Sequence, residues 1–251
     1  MDAVFSEPPL PYGAVHLVIL GVIAAVLFLL YFPLRRQNEQ TLVRILFGAG
    51  LFMLLAEAWK QWFVQRYVYP GVLSTWFFPW QLCSMSMYCS FLVPFLKGKA
   101  RDTVLVFLST FQIIAALGAL LFPGDMMRPY IWLFIHSFLY HGLMLFESMA
   151  AILILKNRKE IRFFPSVLLF LIMAAVAEGI NVVSHHIVND FSLEANMFNI
   201  TPYYPSTQPV FHGIALRLGI FPEILIYLAV IILFSYGLFR LETLFRKRAA
   251  E

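Results

Sequence analysis

The residues of this chain best suited to chemistry sit in apolar surroundings. The stretch PWQLCSMSMYCS, Pro79 to Ser90, puts a thiol, hydroxyls and an amide into a segment otherwise fit only for lipid. Cys83, Ser86 and Ser90 fall at i, i+3 and i+7 and share one helical stripe. Pro79 either kinks that span or begins its helical part; in the second case Cys83 lies near a helix N-terminus, where the dipole favours an anion. The competing reading is a small packing residue at a helix contact, the usual role of a free cysteine. Cys89 has no comparable setting and reads as packing.

The stretch YIWLFIHSFLYHGLMLFES supplies a base. Ser137, His141 and Ser148 form one helical stripe and His136, Tyr140 and Glu147 its neighbour, so either histidine can face a bundle centre. A neutral imidazole beside a thiol takes its proton and activates it for attack; a histidine hydrogen-bonded across helices for structure is the alternative. Glu57, Lys60 and Gln61 have the spacing of an intrahelical ion pair, which points first to a structural role. Glu178, Asn181 and His185 repeat that device. Arg217 and Glu223 are expected to pair with Glu57, Glu178 or Lys60, and Arg217 also suits a phosphate. His185 and His186 are adjacent and point apart on a helix, and no HExxH is present, so neither a metal nor another cofactor is expected.

These side chains must be positioned by membrane helices. Of 251 residues, 61% are hydrophobic and only 13% charged, which excludes an ordinary soluble domain and gives an all-α, polytopic transmembrane bundle in one domain. Seven apolar stretches, near 13–32, 42–65, 75–96, 103–122, 130–155, 163–188 and 213–239, are long enough to cross a bilayer, which takes roughly 20 helical residues. Asp2 and Glu7 with no Lys or Arg before the first stretch argue against a cleavable leader, so that span is expected to be retained. The net charge of +4 comes mostly from short loops and needs no nucleic-acid partner. Arg35, Arg36, Arg44, Lys97, Lys99, Arg101, Lys156, Arg158, Lys159, Arg162, Arg240, Arg246, Lys247 and Arg248 alternate with loops almost free of cations, which predicts an outside N-terminus and a cytoplasmic C-terminus. In that frame Glu57, Cys83, Gln112, His141, Glu178 and Glu223 each lie roughly nine to eleven residues inward, about 15 Å deep, and predict a buried polar cavity. The two cysteines, about 9 Å apart along a helix axis, are expected to be free thiols. The loop from Asn189 to His212 reads as a lid, a lipid-contacting segment or an ordered surface loop, with an Asn199-Ile200-Thr201 sequon.

PWQLCSMSM, LGALLFPGD after the fourth span, YHGLM in the fifth and the turn Asn196, Met197, Phe198 together resemble the YwaF-like integral membrane proteins, the family of transmembrane protein 164. The resemblance runs from about the second span to the seventh. It implies a membrane acyltransferase that uses a cysteine and a histidine to move a fatty acyl chain between phospholipids, with Cys83 as nucleophile, His141 as base and membrane lipids, a phospholipid donor and a lysophospholipid acceptor, as partners. Family members often read PLHLC where this chain has PWQLC, so Gln81 stands in place of a histidine. Gln112, Asn181 and the serines beside Cys83, Ser86 among them, are candidate oxyanion donors, and Asn196 and His136 candidate neighbours of the site. Water in place of the second lipid makes the same site a lipase. The rival classes are a transporter lined by the carboxylates and Lys60, which inverted broken helices would favour and which are not seen, and a seven-span receptor or scaffold. The expected location is a multi-pass position in the cell membrane of a bacterium, or in an endomembrane with a lumenal site in a eukaryote.

Overall fold

A computed structural model describes residues 4–158, 160–188 and 190–248; Asp2, Lys159 and Asn189 lie outside the described residues, as do the side chains of Lys247 and Arg248. The described chain is helical apart from loops and a single bridge between Val4 and Tyr130. In order come α1 (Ala14–Leu34), α2 (Glu39–Phe63), α3 (Met85–Leu92), α4 (Gly98–Leu121), α5 (Ile131–Leu155), α6 (Phe164–Ile187), α7 (Pro209–Leu218) and α8 (Ile220–Arg248). A π-helical turn, Val64–Val68, prolongs α2, and 3-10 turns at Leu82–Ser84 and Val93–Phe95 flank α3. Among the described residues six helices are long and apolar enough to cross a membrane.

α4 is the central helix. In its most apolar stretch 61% of residues are buried, against 6% for α1, which rides on the outside of the bundle. Phe107, Phe111 and Phe170 stack from α4 to α6, with Phe163 against the other side of Phe111. Fully buried aromatic surface of this kind supplies contact energy that a lipid tail cannot match in shape, which is how helices associate in an apolar solvent. α2 begins on an Asn38 cap, whose side chain accepts from Thr41 N at 2.9 Å. His16 fastens α1 to the end of α4: its Nδ1 accepts from Tyr12 N at 3.0 Å, so Nε2 carries the proton it donates to Leu120 O at 3.0 Å.

Two of the seven expected stretches differ from uninterrupted spans. Residues 75–81 are not helical, and the helical run Leu82–Phe95 covers about 21 Å at 1.5 Å per residue, short of a core of about 30 Å. The segment still runs from one end of the bundle to the other. Thr75 N and Trp76 N donate to Leu193 O at one end (2.9 and 3.0 Å), and Leu96 O accepts from Arg101 Nε (2.7 Å) at the opposite end. The helical part starts three residues after Pro79, so that proline precedes the helix and does not kink it. The stretch 213–239 is divided at Gly219, whose φ of +93° ends α7. Pro222 has no N–H to offer Leu218 O, four residues back, so the helix cannot run through. The remaining spans agree with their expected positions to within five residues at either end.

The chain starts of α2 and α4 and the end of α5 meet at one end of the bundle. Glu39 accepts from Arg158 at 2.6 Å and lies 3.5 Å from Arg101, and Asp102 lies 3.4 Å from Arg158. Such partly exposed pairs contribute little energy, but they put three of the basic loop regions on one side. At mid-bundle α2 meets α3 in near backbone contact at Gly50, where a Cβ would lie 2.5 Å from Phe91 N and 2.9 Å from Met87 O. Gly50→Ala is therefore expected to cost about 1–3 kcal/mol and to lower the thermal unfolding midpoint of the purified protein in detergent. Gly48→Ala, whose Cβ meets nothing within 4 Å, should leave that midpoint unchanged.

Candidate functional site

The short third crossing leaves room beside it. A cavity of about 560 Å³ opens between α2, the turn before α3, α4, α5, α7 and α8. Cys83, His136, Tyr140 and His141 line it, together with Glu57 and Lys60. The structure thus brings the thiol and both histidines to one space. Cys83 is half-buried in the first helical turn after Pro79 and packs against the cluster of Met53, Met87, Ala116, Tyr140 and Met144. The leading N–H groups of such a turn have no carbonyl one turn earlier to receive them, so they present positive ends at the thiol.

His141 is held in one tautomer. Its Nδ1 is 2.7 Å from Ser137 O, and a carbonyl only accepts, so Nδ1 carries the proton and Nε2 keeps a lone pair. His136 is stacked between Trp59 and Tyr140, and its Nε2 is buried without a partner. The Tyr140 hydroxyl is likewise buried without a partner. Cys83 and His141 make no hydrogen bond to each other; nucleophile and base pairs are often looser before a substrate is bound. Both cysteines are free thiols.

Lys60 Nζ lies 2.8 Å from Glu57 Oε1, the i,i+3 pair expected from spacing, and Gln61 Nε2 donates to the same carboxylate at 2.6 Å and to Phe77 O at 2.5 Å. Glu57 Oε1 is therefore engaged twice within its own helix, and Gln61 links that pair to the adjoining turn. Lys60 still faces the cavity and is near enough to Cys83, His136 and His141 to act on each electrostatically.

Several expected members of the polar layer lie elsewhere. Gln112 is buried behind the site and donates to Leu82 O at 2.9 Å. Ser86 donates to Glu147, a buried carboxyl away from the cavity. Asn181 accepts from Met197 N at 2.6 Å and donates to Met197 O at 3.2 Å. None of these three is left to serve as an oxyanion donor; the unpartnered hydroxyl of Tyr140 has that freedom. Among the described residues Glu178 is bonded by Asn181 alone, at 3.4 Å, outside the cavity. Arg217 is exposed on α7 and makes no ion pair among the described residues, because the break at Gly219 takes α7 out of line with α8. Glu223 is buried in the first turn of α8, not deep in a span, and also misses the cavity.

The long loop is an ordered cap tied down by amides. Gln81 donates to Asn196 O at 3.2 Å and accepts from Phe198 N at 3.1 Å, so this amide works as a clamp. Asn196 Oδ1 accepts from Thr201 N, and His185 bonds Glu194 at 3.1 Å while stacking on Tyr203 at 3.6 Å between centroids. Among the described residues no three His, Cys, Asp or Glu side chains gather as a metal site would require. Fully buried Phe198 is held at φ +58°, a conformation disfavoured for a bulky residue. The next residue, Asn199, lines the cavity and Thr201 is buried, so the sequon is not a surface feature.

Arg128 and Tyr227, both on the cavity wall, are absent from the residues singled out by spacing. Arg128 follows a span in the sequence and looks like an ordinary loop cation; Tyr227 lies in a plain apolar run. Asn181→Leu would leave the buried Met197 N–H without a partner, at about 1–3 kcal/mol, and Met197 O with only its 3.4 Å bond from Ile200 N. The expected result is faster cleavage within residues 190–208 under limited proteolysis, with the spans intact; unchanged cleavage would show that the clamp does not hold the cap.

The sequence profile of the TMEM164 family matches residues 11–239. No curated protein and no solved structure matches the chain.

Proposed function

The chain belongs to the TMEM164 family, and on that premise we propose that it is a membrane-embedded acyltransferase that moves a fatty acyl chain from a phospholipid to a lysophospholipid through a thioester on Cys83. The observation that carries this reading is one cavity among lipid-facing helices holding a half-buried thiol and an imidazole whose Nε2 is an unengaged acceptor. His141 Nε2 takes the Cys83 proton as sulfur attacks the ester carbonyl carbon. The tetrahedral intermediate collapses with loss of a lysolipid alkoxide, which leaves with the proton held on His141. A second lysolipid hydroxyl then attacks the thioester and gives its proton to His141; the C–S bond breaks, and that proton returns to sulfur.

Three features of the site suit this chemistry. Charge develops on the carbonyl oxygen, and the Tyr140 hydroxyl, the Lys60 ammonium and the N–H of Cys83 are the donors offered to it, Ser84 N being taken by Gln81 O. Pairing with Glu57 keeps Lys60 from being an isolated buried charge without removing it from the cavity wall. An apolar groove of about 340 Å³ between α4 and α8 shares Ile114 and Phe234 with the cavity, which offers an acyl chain continuous apolar surface. A solute pathway is less well supported: Glu178 and Glu223 do not line the cavity, and Glu57 is engaged by Lys60 and Gln61.

The test is intact-protein mass spectrometry of the purified protein given a labelled phospholipid. An acyl adduct that hydroxylamine removes is expected on the native protein and absent from Cys83→Ala. His141→Ala should slow adduct formation by about 10²–10⁴-fold. Folded protein with neither adduct nor lipid turnover would defeat the enzyme reading. Adduct with release of free fatty acid and no acyl product on added lysolipid would make it a hydrolase.

A further inference from the structure

The cavity wall carries two cations in unequal circumstances. Lys60 has its carboxylate partner at 2.8 Å. Arg128 has none: among the described residues it makes no ion pair, although Asp125 lines the same cavity. The Arg128 guanidinium lies 5.1 Å from the centroid of Phe77, the ring that Lys60 also approaches, at 5.9 Å. Arg128 is half-buried, so part of its hydration is already lost and no protein anion replaces it. A planar fork of donors held against an aromatic face is well shaped for a phosphate, which it can meet with two parallel hydrogen bonds.

The far side of the same space selects which kind of phosphate. From Ile114 and Phe234 the wall continues into the α4–α8 groove, lined further by Leu233, Gly237, Leu238 and Leu241. Along α8 from Phe234 to Leu241 the groove follows about 10 Å of helix, the length of several methylenes of an extended tail. Gly237 belongs to it, and a Cβ there would meet nothing within 4 Å, so the floor is open at that point. One end of the space is cationic and the other is apolar at membrane depth. A free phosphate would use only the first; a glycerophospholipid uses both, with its ester between them near the thiol.

Resting on the acyltransfer reading, we infer that Arg128 binds the headgroup phosphate of a glycerophospholipid whose acyl tail lies in the α4–α8 groove at Gly237. The inference replaces Arg217, the cation expected from sequence to meet a phosphate, with one that the fold turns into the cavity.

The experiment measures binding and not turnover, in the full chain carrying Cys83→Ala, so that a failed acyl transfer does not affect it. Labelled phosphatidylcholine and labelled diacylglycerol with the same tails are titrated into detergent-solubilised protein. Arg128→Gln is expected to weaken phosphatidylcholine by about 10- to 100-fold, the range for losing charge-assisted hydrogen bonds, and to leave diacylglycerol unchanged, with Arg128→Lys intermediate. Gly237→Phe, which fills the groove without touching the cation, is expected to weaken both lipids equally. Equal binding of phosphatidylcholine by Arg128→Gln and its parent would overturn the assignment of the phosphate. Gly237→Phe without effect on either lipid would overturn the tail's place. Displacement of phosphatidylcholine by inorganic phosphate, with Gly237→Phe silent, would overturn the lipid in favour of a free-phosphate site.

Discussion

A backbone N–H or C=O inside a bilayer has no water to turn to, so each must find a partner within the protein or stay helical. The third crossing of this molecule breaks the helical rule over residues 75–81 and is supported where it does. Phe77 O accepts from Gln61, Pro79 O from Tyr88, and Leu82 O from Gln112. Trp80 returns the favour by donating to Met173 O on α6. Four helices thus contribute to one irregular segment, and the segment is tolerable only because it is surrounded by them. Its irregularity is also what makes the helical run start late, at Leu82, and places Cys83 in a first helical turn at the cavity wall, not in the middle of a span.

The same accounting separates the polar residues into two groups. Gln61, Gln81, Gln112, Asn181 and Ser184 have their hydrogen-bonding atoms engaged largely by backbone or neighbouring hydroxyls, and they fix loops and helix ends. Amides suit this work because each offers a donor and an acceptor to a peptide group with no charge to desolvate. Among the described residues the Tyr140 hydroxyl and His136 Nε2 are buried without a hydrogen-bond partner, His141 Nε2 and the Arg128 guanidinium make no hydrogen bond or ion pair, and all of them share the cavity with Cys83. Unsatisfied polar groups are costly in this solvent, and those that open into the cavity can be met there by a ligand.

The cap over the cavity gains its order from the same economy of amides. Asn181 and Gln81, from two different crossings, bind consecutive parts of residues 196–198 and hold Phe198 in a left-handed conformation. That turn sets Asn199 on the cavity wall, so a loop with no regular structure becomes part of a defined enclosure.

Composition and hydropathy alone determined the helical membrane fold, because a run of about 20 apolar residues has few other places to go. They also placed five of the spans closely, and i,i+3 spacing announced the Glu57–Lys60 pair, which depends on one helix only. The gathering of Cys83 with His141 was legible as a common depth, since depth follows from counting along each span. Azimuth does not follow from counting, and only packing decided it. Gln112, Asn181 and Glu178 lie at or near the expected depth yet face other neighbours, whereas Arg128 folds in from a loop. The break at Gly219 is local by contrast. Gly219 at φ +93° and Pro222, which has no N–H for Leu218 O, divide the last apolar run, and the turn between them leaves Arg217 outside. Local sequence sets which residues can be helical and how deep they lie; the rotation of each helix is a compromise among all its contacts, and no single stretch of sequence contains it.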